Sequence, residues 1–284
     1  MLAGILLDGR YRIGERLGTG GLSMVYAAHD VQFDREVAVK LVRTGEPQDE
    51  AVAERLFREA RAAARVAHPA LVTVYAHGSA PHLGFDYLVM ERLVGEDLFA
   101  RLSREGALAV PLVCRIGTEV ADLLTAVHPR GTIHRDLKPT NIFLGRRGMR
   151  LDEVRVLDFG VAKQLDLWTL TKPGTVLGTF GYMAPEQLLE ARVDFRSDIY
   201  ALGLVLFECL TGQKAFVETR LVDLLRAMRH GETPRLRTLC PDLPTDLCQL
   251  VERCLARRPE DRFQTAQEVR DALICVAPRS DACG

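Results

Sequence analysis

HRDLKPTN, residues 134–141, gathers Asp136, Lys138 and Asn141 around a single proline within one octapeptide. Few of its residues are left over to build a core. A carboxylate can accept a hydroxyl proton, an ammonium can sit on a transferring phosphate, and an amide oxygen can hold Mg²⁺. The octapeptide therefore points to phosphoryl transfer, and its neighbours test that reading.

Upstream of it, from Tyr11 to about Glu91, short strand-like runs dominate: RYRIGERLG, SMVYAAHD, REVAVKLV, ALVTVYAHG and DYLVMERL. One helical stretch interrupts them near residues 50–66. From Glu96 onward helical periodicity takes over, and SDIYALGLVLFECLTG is apolar nearly all round, with Ser197 expected as its cap. Strands first and helices afterwards predict an α+β chain with a small sheet lobe and a larger helical lobe. The expected boundaries are a small lobe at 1–91, a hinge at 92–95, a large lobe at 96–277 and a tail at 278–284. Residues 164–181, rich in Thr, Gly and Lys, are the long stretch without periodicity, the mark of a functional loop.

The chain has 284 residues, enough for two lobes sharing a cleft, and a formal net charge of −1 with no Lys/Arg block. Nucleic acid and membrane surfaces are therefore set aside as partners. Its seven cysteines include no CxxC pair, which argues against a zinc site or a disulfide framework; they read as reduced, mostly buried small hydrophobes. MLAGILLDGRYRI lacks the basic start and small-residue cleavage site of a signal peptide. The most apolar run, residues 199–210, carries Glu208 and is shorter than the ~20 residues that span a bilayer. A cytoplasmic location, or that of a cytoplasmic domain within a longer protein, is the expectation, with no membrane segment in this chain.

Three more segments carry phosphate chemistry. In LGTGGLSMVY, residues Leu17, Gly18, Thr19, Gly20, Gly21, Leu22 and Ser23 precede a β-favouring Met24-Val25-Tyr26. Glycines there let backbone amides approach phosphate oxygens. A dinucleotide-binding turn would open a helix instead, so a glycine-rich hairpin over a nucleotide fits better than that rival or a plain surface turn. Lys40 ends EVAVK within a strand that is apolar on both sides, where a merely solvated lysine is out of place. In the helical stretch, Val52, Leu56, Glu59, Ala63 and Val66 form the core-facing stripe, and Glu59 is its acid; Glu50 and Glu54 lie off it on the solvated side. Asp158-Phe159-Gly160 follows the strand-like VRVL, where a second acid can meet Mg²⁺ and the glycine lets the chain turn away.

Taken together, these motifs closely resemble those of the eukaryotic-type Ser/Thr protein kinases of bacteria, in order and spacing from about residue 10 to 276. The lysine two places after Asp136 marks the Ser/Thr rather than the Tyr class. The resemblance implies a bilobal protein-kinase fold: a small antiparallel-sheet lobe with one regulatory helix, a larger helical lobe and an ATP cleft between. It implies that Asp136 orients and accepts the hydroxyl proton, Lys138 contacts the phosphate, and Lys40, paired with Glu59, holds the α and β phosphates. Asn141 and Asp158 would hold Mg²⁺, with Mn²⁺ as a substitute. Ser23 stands where the family has a third glycine, a departure also found among bacterial relatives. His134 is implied to pack against Phe159 and the loop backbone, which rejects it as the general base. Ala184-Pro185-Glu186 would close the activation segment, 158–186, through a bridge to Arg262. Asp198 would bond the catalytic-loop backbone; the plainer reading is an acid favoured by a helix dipole.

At the adenine end, the resemblance assigns Met90 to the back pocket, the Glu91 carbonyl and Leu93 amide to the base edge, and Val25, Ala38 and Phe143 to its faces. Arg135, beside the catalytic acid, is expected to receive a phosphothreonine from the activation loop, with Thr171 and Thr169 ahead of Thr175. Thr179 would instead bond Asp136 and Lys138. Trp168 has two readings, substrate docking and simple packing, of which packing is the plainer. Expected partners are proteins carrying Ser or Thr, the chain itself through autophosphorylation in trans, and a second copy through the back of the small lobe. The competing readings are a pseudokinase-like scaffold, a small-molecule kinase and a dinucleotide enzyme. Lys40, Asp136 and Asp158 are all present, against the first; the Thr-rich loop and Ala-Pro-Glu closure oppose the second, and the strand after the glycines opposes the third.

Overall fold

The computed structural model describes residues 2–19, 23–43, 66–147, 150–157, 181–189, 193–218, 220–230 and 235–277. Gly20, Gly21, Leu22, Glu59, Asp158, Phe159, Gly160, Thr169, Thr171, Thr175 and Thr179 lie outside them, as does nearly all of the helical stretch expected at residues 50–66.

Six strands form one antiparallel sheet: β1 (Leu6–Leu7), β2 (Tyr11–Thr19), β3 (Ser23–Asp30), β4 (Arg35–Arg43), β5 (Val74–Ala80) and β6 (Phe85–Glu91), in the order β1-β2-β3-β4-β6-β5. Alternation along these strands gives the sheet two buried faces. Tyr11, Ile13, Tyr26, Val37, Val39, Leu41, Tyr87 and Val89 pack together on one. Ala38, Val42, Leu88 and Met90, joined by Val72, cluster on the other, with Val25, Leu93 and Leu157 against them. At the far edge, the Arg10 fork binds the fully buried Asp30 at 2.7 and 2.8 Å, tying the start of β2 to the end of β3. That bond holds the Asp30 carboxyl down to about 2. The run ALVTVYAHG is strand only from Val74, because its first half crosses to the other lobe: Leu71 bridges Val156 in parallel, and the Val156 amide donates to the Ala70 carbonyl at 2.7 Å.

Residues 92–94 join β6 to a second sheet, β7 (Gly95–Asp97), β8 (Ile142–Arg147) and β9 (Arg150–Val156), in that order. Gly95 has φ +147°, and a Cβ there would sit 2.1 Å from the Leu144 carbonyl oxygen and 3.0 Å from the Phe143 ring. Only glycine lets the chain leave the hinge this close to β8. Gly95→Ala is expected to destabilise the protein by on the order of 3 kcal/mol in chemical denaturation, since strain and a backbone clash add. An unchanged midpoint would contradict this account of the turn.

The larger lobe packs α1 (Leu98–Glu105), α2 (Val110–Val127), α3 (Pro185–Leu188), α4 (Arg196–Thr211), α5 (Leu221–His230), α6 (Leu236–Leu239), α7 (Thr245–Cys254) and α8 (Ala266–Val276). Fourteen of the sixteen residues of α4 are buried, which makes it the axis that the other helices surround. One expectation is corrected. Ser197 does not cap α4; it sits inside the first turn, Phe195 holds the cap position without a side-chain cap, and Asp194 just before it accepts the Arg196 amide at 2.9 Å. Ser197 Oγ is engaged instead by the buried Glu186, at 2.7 Å. Among the described residues no helix is long and apolar enough to cross a membrane. The cysteines among them are free, and Cys114, Cys209, Cys248 and Cys254 are buried as small hydrophobes.

Candidate active site

The loop at residues 134–141 owes its shape to α4. Asp198, 1% exposed in the first turn of that helix, accepts the amides of His134 and Arg135, each at 2.8 Å. Its carboxylate also receives His128 Nε2 at 2.8 Å, from just beyond the end of α2. A buried carboxylate is kept only where donors surround it, and three converge here. They hold Arg135 at φ +63°, a left-handed turn that swings the next residue toward the cleft. His128 was not singled out by the sequence reading; its one signal is its place six residues before His134, and that meant nothing without the fold.

His134 is fully buried. Its Nδ1 accepts the Asp136 amide at 3.3 Å and its Nε2 lies 3.1 Å from the Leu157 carbonyl, which sets the Nε2–H tautomer. Both nitrogens are thus occupied by backbone. Asp136 then faces Lys138, whose Nζ is 2.9 Å from Oδ2, and Asn141, whose Nδ2 donates to Oδ2 at 3.0 Å and to the Asp136 carbonyl at 2.8 Å. The carbonyl can only accept, so the amide nitrogen of Asn141 must face it and Oδ1 remains as a hard oxygen donor. That donor suits Mg²⁺ or Mn²⁺ in kind. The second expected ligand, Asp158, lies outside the described residues.

Above the loop, β4 presents Ala38, Lys40 and Val42 to one face, and cross-strand neighbours share that face: Val25 and Leu88 flank Lys40, while Ala38 lies opposite Met90. Lys40 is 8% exposed. The apolar cluster of Val25, Ala38, Val72, Leu88, Met90 and Leu93 roofs the cleft, and Leu157 packs against it from below. Leu157 also accepts from His134 and donates its amide to the Asn141 carbonyl at 2.8 Å. The roof and the 134–141 loop are therefore joined through the residue just before Asp158. Leu88, Val72 and Leu157 were missed from sequence, although Leu88 shares the face of Met90 two places on. Phe143 lies beside Gly95 at the base of the hinge. Of the glycine-rich hairpin, Leu17, Gly18 and Thr19 end β2 and Ser23 opens β3.

The closing bridge is buried. Arg262 meets Glu186 with two bonds, 2.7 and 2.9 Å, and gives its remaining donors to the Ala256, Arg196 and Arg257 carbonyls. Burial alone would raise the Glu186 carboxyl, but the bonds and charge of Arg262, with the Ser197 hydroxyl, outweigh it and hold the group below its ordinary value. Next to it, Gln187 accepts the Ala184 amide at 2.9 Å and donates to the Arg135 carbonyl at 3.2 Å, tying this segment to the catalytic loop. Arg135 Nε is buried without a hydrogen-bond partner among the described residues.

Comparison with known proteins identifies the family and the fold. A family model described as "Protein kinase domain" matches residues 11–274. The chain is 38% identical over 275 residues to the serine/threonine-protein kinase PknB of Mycolicibacterium smegmatis, covering 95% of this chain and 43% of that protein. It is 34% identical over 269 residues to PrkC of Bacillus subtilis, covering 95% and 41%. Among solved structures, the kinase domain of Mycobacterium tuberculosis PknI superposes with a TM-score of 0.77 at 28% identity, covering 98% of this chain and 99% of that one. The chain thus spans about two fifths of the length of these two curated relatives.

Proposed function

The chain belongs to the protein kinase domain family, and from that premise we propose that it transfers the γ-phosphoryl group of ATP to serine and threonine hydroxyls of proteins. The observation that carries this reading is Asp136, held between Lys138 and Asn141 beneath a roof that presents Lys40. Asp136 orients the acceptor hydroxyl and takes its proton, while Lys138 follows the phosphoryl group as charge develops on it. Lys40 holds the α and β phosphates. Asn141 Oδ1 and Asp158 would hold Mg²⁺, or Mn²⁺ in its place, which when bound neutralises phosphate charge. The base lies on Val25, Ala38, Met90 and Phe143, with its edge on the Glu91 carbonyl and the Leu93 amide.

Arg135 is the switch. Its Nε, buried and without a hydrogen-bond partner among the described residues, is suited to a phosphate oxygen, and a phosphothreonine at Thr171 or Thr169, placed by a second copy of the chain, would satisfy it. A second copy also suits the back of the small lobe, where Phe33 is 60% exposed between Arg10 and Arg35, with Tyr75 under Arg35. Two outcomes are expected. With labelled ATP, Mg²⁺ and a generic basic protein, the wild type labels the protein and Lys40→Met does not; equal labelling would favour the scaffold. Mass spectrometry finds phosphate on the activation loop of the wild type and none after Asp136→Asn expression, whereas an unmodified loop in both would remove the switch.

A further inference from the structure

Glu91 ends β6, and its backbone is where the base edge is proposed to bind. Because Leu88 and Met90 face the cleft while Tyr87 and Val89 face away, alternation sends the Glu91 side chain behind the strand. There Oε1 accepts the Thr73 amide at 2.8 Å and lies 3.4 Å from Arg155 on β9, while the Glu91 amide donates to the Thr73 carbonyl at 2.9 Å. Arg155 is 7% exposed. Its fork also donates to the Pro69 carbonyl, to the Leu71 carbonyl at 3.3 Å, and reaches Glu153 at 3.1 Å.

The loop it grips is fixed to the large lobe by other means. Leu71 bridges Val156, and His68 Nε2 meets Asp122 on α2 at 3.0 Å. The loop is thus a stationary anchor, and Arg155 and Thr73 connect the hinge to it. A cavity of about 780 Å³ lies behind the hinge, lined by Val66, Tyr75, Glu91, Val94, Glu153 and Arg155 among others. On that side the bonds to Thr73 and Arg155 hold the strand end.

We infer that Arg155 is a positioning residue for base recognition: through the Glu91 carboxylate and Thr73 it holds the hinge backbone that offers the Glu91 carbonyl and the Leu93 amide to the nucleotide. This rests on the reading of the cleft as an adenine-nucleotide site. Arg155 touches no substrate; it acts through Glu91 and through the loop that carries Thr73. Its loss should appear at the base and not at the phosphates.

The test is calorimetric binding of adenosine and of ATP to the whole chain, with thermal unfolding recorded beside it. Arg155→Met is expected to weaken both ligands by the same factor, about five- to tenfold for the loss of one charge-assisted network. Glu91→Gln keeps an acceptor for Thr73 but loses the charge facing Arg155, so an intermediate loss is expected. The double variant should bind no more weakly than Arg155→Met, since the two act on one path, and Arg155→Lys should recover part of the affinity. Adenosine binding of folded Arg155→Met equal to wild type, or losses that simply add in the double variant, would overturn the inference. Should Arg155→Met fail to fold, Glu91→Gln and Arg155→Lys decide it: wild-type adenosine affinity in both overturns it, and graded loss supports it. A wild type that binds neither adenosine nor ATP would overturn the nucleotide reading itself, and this inference with it.

Discussion

Asp136→Asn is expected to lose phosphoryl transfer by on the order of 10²- to 10⁴-fold in kcat while binding ATP as the wild type does. The amide has the shape of the carboxylate, so the loop, held by Asp198 on the His134 and Arg135 amides, keeps its fold. What disappears is the group able to accept a proton. The charge that holds Lys138 Nζ at 2.9 Å is lost as well, so the lysine proposed to follow the phosphate becomes less well placed. Steady-state kinetics with a protein substrate, beside nucleotide binding, separates the two effects: lost affinity would mean a collapsed cleft, and an unchanged kcat would remove Asp136 from the proton path. Lys40→Met should differ, because Lys40 lies on the roof and its proposed role is to hold the phosphates of the nucleotide.

Glu186→Ala is expected to destabilise the chain by on the order of 3 kcal/mol, because it leaves a fully buried guanidinium without its counter-charge. The three carbonyls that Arg262 also binds soften the loss and keep it toward the low end of what such a break costs. Replacing both partners by Glu186→Leu and Arg262→Met removes the buried charges together and should cost less than either single change. Acid sensitivity follows with a definite sign. The Glu186 carboxyl is depressed in the folded state, so its contribution is fully present above the unfolded carboxylate value of about 4.3 and is lost as pH falls through the lower folded value. The wild type should therefore lose stability more steeply than the double variant below about pH 4.3. Denaturant midpoints measured across that range check it; parallel curves would mean that the bridge does not titrate with unfolding.

The parts legible in the sequence were those in which one segment carries its own signal. The strand runs at residues 11–43 and 85–91 announced themselves by β-favouring apolar composition, and α4 by a surface apolar on every side. Lys40 stood out because its own strand had no polar face to give it. The unreadable parts depend on partners distant in sequence. His128 and His134 look alike as letters, yet one donates a ring N–H to a buried carboxylate and the other spends both nitrogens on backbone. Ser197 looked like a cap until Glu186 claimed its hydroxyl. Arg155 has the pattern of an ordinary strand residue, and only the fold brings Pro69, Leu71, Glu91 and Glu153 around it. The same limit explains Leu88, whose place in the roof follows from alternation but whose neighbours come from β4.

The central claim is that the chain passes the γ-phosphoryl group of ATP to serine and threonine hydroxyls, with Asp136 orienting the hydroxyl and accepting its proton. The most direct measurement is identification of the labelled residue: incubate the chain with ATP labelled at the γ-phosphate, Mg²⁺ and a protein substrate, then locate the label by mass spectrometry beside an Asp136→Asn control. The account predicts phosphoserine and phosphothreonine from the wild type and none from the variant. Label confined to tyrosine or to a small molecule, or no label from a wild type that binds ATP, would contradict it.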